Sequence, residues 1–352
     1  PAIHVLPAAL AVAEERGAGG RRLIESLVAG YEITSRLGGA TTLRPNVHSH
    51  GTWGTVGAAV AVARLLERDE PGMRQTINLA ASMSPANSWT PCFEGATIRN
   101  LYPGRAALQG ILATHLLDCG YSALGDAPSD VYGTILGERF EAERALDDLG
   151  DDDWPGAYRI ERNYVKLHAC CLYNHPALDA VQTLLSHERL EPDAIAGITV
   201  TSVPFVERMA ASDPPNMLAA KFSVPYAVAA AVVTGGSGVP AFLDATRVNP
   251  RVRELARRVE VRGDPAMSMR SNGPTAHVTV TLRDGRVLIA TTAVVHGDAE
   301  HPVGRHELVA KFRALAADAL GPAGTERVAE AVGRLEELKD LRELTRLLCS
   351  TS

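Results

Sequence analysis

No stretch of this 352-residue chain approaches the roughly 20 uninterrupted apolar residues that a membrane-spanning helix needs. The longest apolar run, around Tyr226 to Val233, is closed by Thr234-Gly235-Gly236. A soluble protein with no membrane partner is therefore expected. The five cysteines, Cys92, Cys119, Cys170, Cys171 and Cys349, contain no C-x-x-C pair, and no secretory leader precedes them. An odd number of thiols without a leader fits a reducing cytoplasm. A long basic block is missing as well: 35 basic residues stand against 41 acidic ones for a net charge of -6, which speaks against a nucleic-acid partner. Neither a glycine-rich phosphate loop with its lysine nor a redox motif is present, so no nucleotide cofactor is expected and a dehydrogenase is set aside.

What the chain does hold is ample material for burial. A hydrophobic fraction of 46% over this length exceeds one ordinary core, so two domains are the default. From Ala2 to about Leu116 apolar residues recur at helical spacing between Gly, Pro or Asn breaks. Val5, Leu6, Ala9, Leu10 and Ala13 make a stripe that ends near Gly17, and Leu23 to Leu37 predicts a second helix closed by Gly38-Gly39. Further helices are predicted over 57–66, 73–83 and 104–117, the last with Ala106, Ala107 and Gly110 on a face suited to close packing. Up to this point the chain reads as all-helical. The acids Asp147, Asp148 and Asp151 to Asp153, ahead of Trp154-Pro155-Gly156, predict a hinge. Beyond it the period changes to that of strands, over 195–203, 258–262, 276–282 and 287–295, the last two joined through the Asp284-Gly285 hairpin signal. Helices over 176–186 and 225–233 interleave with them, and 305–348 is helical again. The fold class expected is mainly α with an α+β unit.

Four segments could carry chemistry. Val47-His48-Ser49-His50-Gly51-Thr52 runs into an apolar helix, offering proton donors and backbone N–H groups for an anion; a capped loop with a solvent-facing histidine has the same composition. No acid or cysteine stands near the His-x-His pair, so no metal is expected there. Gly95 to Arg105 holds Arg99 and Arg105, either of which could grip a carboxylate with two parallel hydrogen bonds or make an ordinary salt bridge at a helix start. Tyr164 to Pro176, followed by Asp179, gathers Lys166, His168 and His175 in an apolar setting, where desolvation could bring a base close to neutrality. The adjacent Cys170 and Cys171 in the same segment read as buried packing. Leu218 to Tyr226 supplies Lys221 and the phenol of Tyr226, which could serve a substrate or simply anchor a helix.

In this order the four segments resemble the MmgE/PrpD family, and the likeness extends through Pro1-Ala2-Ile3-His4-Val5, Gly30-Tyr31-Glu32-Ile33, Lys221-Phe222-Ser223 and Lys311-Phe312. The resemblance implies a large all-helical domain built from residues 1–160 and 299–352, with a smaller α+β lid domain over 161–298 and an active site in the cleft. It implies proton chemistry without metal or nucleotide cofactor on a small polycarboxylate: a lyase acting on 2-methylcitrate or cis-aconitate, an epimerase of a dicarboxylate such as iminodisuccinate, or a non-catalytic relative. Carried over by position, His48, His175 and Tyr226 are the expected catalytic residues. Arg99, Lys166, Lys221 and Thr52 are the expected substrate-binding ones, with Arg99 standing where those enzymes have lysine. The resemblance further implies a homodimer. It also implies an N-terminal segment ahead of Pro1, lost on processing or supplied by a separate polypeptide.

Overall fold

A computed structural model describes residues 1–147, 149, 158–188, 190–269 and 275–349. The chain divides into two compact units: Pro1–Trp89, Asn100–Asn163 and Arg305–Ser352 form the first, Thr90–Arg99 and Tyr164–Gly304 the second. Residues 90–99, expected within the first helical domain, thus pack in the α+β unit.

The first unit is helical because its apolar stripes have the helical period. Ala2–Arg16 buries Val5, Ala8, Ala9, Val12 and Ala13 and stops at Gly17, whose φ of 60° only glycine adopts cheaply. Gly20–Ala40 runs straight through the glycine pair expected to end it, because Gly38 lies against the Trp53 ring, where a Cβ would stand 3.2 Å from the nearest ring carbon. Thr52–Leu65 is apolar on every side and accordingly sits in the middle of the unit. It meets its neighbours at small residues: a Cβ on Gly57 would lie 1.7 Å from Thr34 Oγ1, and one on Gly110, in the helix Leu101–Asp118, 2.6 Å from Ala58 Cβ. One departure from an all-helical reading is a two-stranded ribbon, β1 (Thr41–Leu43) antiparallel to β2 (Gly137–Phe140), too short to leave a period in the sequence.

Both ends of the chain build this unit. Leu338, Leu341 and Leu344 enter the same core as Val5, Ala9 and Leu23, and backbone bonds Gly20 N–H to Leu338 O (2.8 Å) and Leu341 N–H to Ala18 O (2.9 Å) tie them down. The helical stretch Arg305–Gly333 that leads there is broken at Gly321, just before Pro322. Of the expected acidic hinge, Asp148 and residues 151–157 lie outside the described residues.

The second unit carries a four-stranded sheet in the order β4-β3-β5-β6, with β3 Ile195–Ser202, β4 Val259–Gly263, β5 Ala276–Leu282 and β6 Val287–Thr292. β4 is parallel to β3, and the other pairs are antiparallel. Period-two burial places Ile198, Val200, Val278 and Val280 inward, and Gly285 at φ 90° turns the β5–β6 hairpin. Helices His175–His187 and Val224–Thr234 pack within this unit. No helix among the described residues is long and apolar enough to cross a membrane.

Candidate functional site

His48 lies in the loop between β1 and the Thr52–Leu65 helix and is 1% exposed. Its backbone N–H donates to Asn87 O at 2.8 Å, and its ring Nδ1 accepts the His50 N–H at 2.9 Å, so a neutral ring carries its proton on Nε2. Trp89 covers the imidazole at 3.9 Å between ring centroids, with Tyr102 and His50 edge-on at 5.7 and 4.9 Å. Asn87 donates to His50 O and accepts from Arg105, while His4 Nε2 accepts the Gly51 N–H at 3.1 Å. Three histidines thus stand together in the first unit. Among the described residues no His, Cys, Asp and Glu side chains form a group of three or more able to hold a metal ion. Thr52 is wholly buried, and its hydroxyl donates to Ser49 O at 2.6 Å, closing the turn into the helix.

The second unit gathers most of the other expected residues around the vicinal cysteines. Lys166, which is exposed, donates to Cys170 O at 3.3 Å, and Lys221 O accepts from the Cys171 N–H at 2.9 Å and from Asn174 at 3.1 Å. Arg99 lies over the Phe222 ring at 5.2 Å, and its charge pulls the Cys92 thiol down against burial. Among the described residues Arg99 Nε, though buried, has no hydrogen-bond partner. Burial pushes the Cys170 thiol up to about 12 and the Cys92 thiol up to about 11, and it raises Cys171 as well, against the pull of Lys166 and Arg99. These thiols stay protonated at neutral pH and are not nucleophiles.

His175 begins the helix His175–His187 and is 0% exposed. Its Nδ1 meets the Tyr164 hydroxyl, and its Nε2 faces Cys170 O at 3.3 Å. Beside it, with rings at 4.8 Å, His168 links Ser237 Oγ on Nδ1 to Asp179 Oδ1 on Nε2 at 2.8 Å. Gln182 donates to Ser237, and the His296 N–H donates to Asp179 Oδ2 at 2.9 Å. Ser, His and Asp in a row are the residue types of nucleophilic hydrolysis. Here, however, the serine is buried and its oxygen is also held by Gln182, so the row braces the wall behind His175.

Tyr226 belongs to the helix Val224–Thr234, 1% exposed, and its hydroxyl donates to Ala241 O at 2.7 Å. Burial pushes its phenol up to about 12. This is the anchoring arrangement, and the hydroxyl is committed to a carbonyl. Tyr164 and Asp179 carry no role in the sequence, and Asn87, Trp89 and Cys92 carry no local pattern that marks them as part of a site; only chain reversals bring these residues to the histidines and Arg99.

Two family profiles match the chain, that of the MmgE/PrpD N-terminal domain over residues 1–135 and that of the MmgE/PrpD C-terminal domain over residues 168–337. Among curated proteins, human cis-aconitate decarboxylase is 27% identical over 368 residues, covering 99% of this chain and 75% of the relative. Mouse cis-aconitate decarboxylase is 27% identical, covering 94% of this chain and 68% of the relative. A cis-aconitate decarboxylase-like protein of Aspergillus oryzae is 23% identical, covering 98% and 76%.

Proposed function

The chain belongs to the MmgE/PrpD family, and from that premise we propose that it is a lyase that removes carbon dioxide from a small tricarboxylate of the cis-aconitate type by proton chemistry. The observation that carries this reading is the grouping of Arg99, Lys166 and Lys221 around Cys170 and Cys171, close to His175. Loss of carbon dioxide leaves an electron pair on carbon beside the remaining carboxylates, and fixed cations offset that charge. Arg99 has the planar fork for bidentate carboxylate binding, and its stacking on Phe222 orients the fork. Lys166 and Lys221 add point charges. His175 is the group assigned to proton transfer beside these cations, and Tyr226 and Thr52 hold their elements in place. The names of the human, mouse and fungal relatives support decarboxylation over dehydration.

The test is incubation of the purified chain with cis-aconitate, 2-methylcitrate and iminodisuccinate in deuterated water. Carbon dioxide and a deuterated product from cis-aconitate are expected. Water loss from 2-methylcitrate alone would make the chain a dehydratase, deuterium exchange with inverted configuration in iminodisuccinate an epimerase, and silence with all three would overturn the reading.

A further inference from the structure

His175 has no exposed surface, and both ring nitrogens are engaged. Cys170 O can only accept, so the hydrogen bond there requires a proton on Nε2. The other nitrogen, Nδ1, ends on the hydroxyl of Tyr164. Tyr164, unlike His175, is only half-buried. Its position two residues before Lys166 sets it on the same stretch of chain as one of the three grouped cations. Of the two, only Tyr164 has surface exposed, so it and not the imidazole is the member of the pair open to a substrate.

We propose that Tyr164 is the catalytic residue that gives the proton to substrate carbon, and that His175 is a positioning residue that refills it. The proposal rests on the reading of the chain as a polycarboxylate lyase. As the carbon–carbon bond breaks, its electron pair stays on carbon and carbon dioxide leaves neutral. That carbon takes the proton of Tyr164 Oη, and Oη takes the proton of a doubly protonated His175 from Nδ1. The product is protonated, Tyr164 is again a phenol, and His175 is left neutral with its proton on Nε2. Water restores the lost proton between turnovers.

The surroundings favour this concerted route over a free phenolate. Burial raises the Tyr164 phenol well above the ordinary tyrosine value, and the charge of Asp179 pushes in the same direction, with smaller contributions from Cys170 and Asp298. A phenol that resists ionisation passes its proton on only as another arrives. The His168–Asp179–Ser237 row keeps the edge of the His175 ring in place and so fixes the line between Nδ1 and Oη.

The experiment compares wild type, Tyr164→Phe, His175→Gln and the double variant with cis-aconitate, after circular dichroism has established that each is folded. Each single change is expected to lower kcat by about 10²–10⁴-fold with KM little changed. The double variant should be no slower than the slower single one, because the two act as a unit. Unchanged kcat in Tyr164→Phe, or losses that multiply in the double variant, would overturn the proposal while leaving the lyase reading intact. If wild type itself turns over none of the three acids, the lyase reading fails and the relay with it. A second measurement needs no variant: single-turnover rates of wild type in mixtures of light and heavy water should bend downward with deuterium content, as two moving protons require, and a straight line would overturn the relay.

Discussion

Arg99 has its guanidinium on the face of Phe222, and among the described residues its buried Nε has no hydrogen-bond partner. A bidentate carboxylate would satisfy it. Arg99→Ala is therefore expected to raise KM for the tricarboxylate about 10- to 100-fold, the worth of a hydrogen bond to a charged group. Arg99→Lys should recover part of that loss, since the charge returns without the fork. Initial-rate kinetics on the three proteins checks both. The thiols make a separate prediction. With Cys92, Cys170 and Cys171 held up by burial, iodoacetamide at neutral pH should label Cys119 and Cys349, both exposed, and spare the other three; mass spectrometry of the alkylated protein reads this directly. Stability follows with a definite sign. Between the ordinary thiol value of 9.0 and about 12, Cys170 keeps its proton in the folded chain but loses it in the unfolded one, so stability is full below pH 9 and falls as pH rises through that window. Cys170→Ala should flatten this alkaline decline in urea unfolding measured from pH 8 to 11.

At the scale of elements, the helix Thr52–Leu65 depends on small residues to approach its neighbours. Gly57→Ala puts a methyl into Thr34 Oγ1 and near Gly30 O, and overpacking of this kind costs about 1–3 kcal/mol. Urea titration followed by circular dichroism should show that loss, whereas Gly120→Ala, with nothing near its added Cβ, loses only what its φ of 83° imposes. The helix Gly20–Ala40 contributes a buried ion pair, Glu32 with Arg36 at 2.7 Å, whose members also hold the Arg159 N–H and the Ala145 and Asp147 carbonyls. Removing only the acid leaves a buried guanidinium without its partner, so Glu32→Ala is expected to destabilise by about 3–5 kcal/mol in the same titration. The helix Ala2–Arg16 was legible because its stripe met a turn residue, Gly17. The end of Gly20–Ala40 was misread at Gly38-Gly39, because whether a glycine ends a helix or admits a ring against it depends on a neighbour elsewhere, here Trp53, 15 residues beyond Gly38.

For the whole molecule, the first unit is closed by the far end of the chain. Leu341 is wholly buried in the core that holds Val5 and Leu23, and Leu341→Ala should cost about 2–5 kcal/mol, read as a lower midpoint for that unit in thermal unfolding.

Composition and period determined, without any coordinates, that the chain is mainly helical with a late α+β part and that no stretch of it is long and apolar enough for a membrane-spanning helix. These are local or additive properties: a stripe, a turn signal and a charge balance need no knowledge of the rest of the chain. What only the tertiary structure decided is how the chain divides and which groups meet. It put Arg99 with Phe222, Lys166 with Cys170 O and the His175 ring behind Tyr164, and it turned the Tyr226 hydroxyl to a carbonyl. Such pairings join residues up to 123 positions apart, as Arg99 and Phe222 are, and depend on where helices cross and strands register. No period in the sequence encodes them.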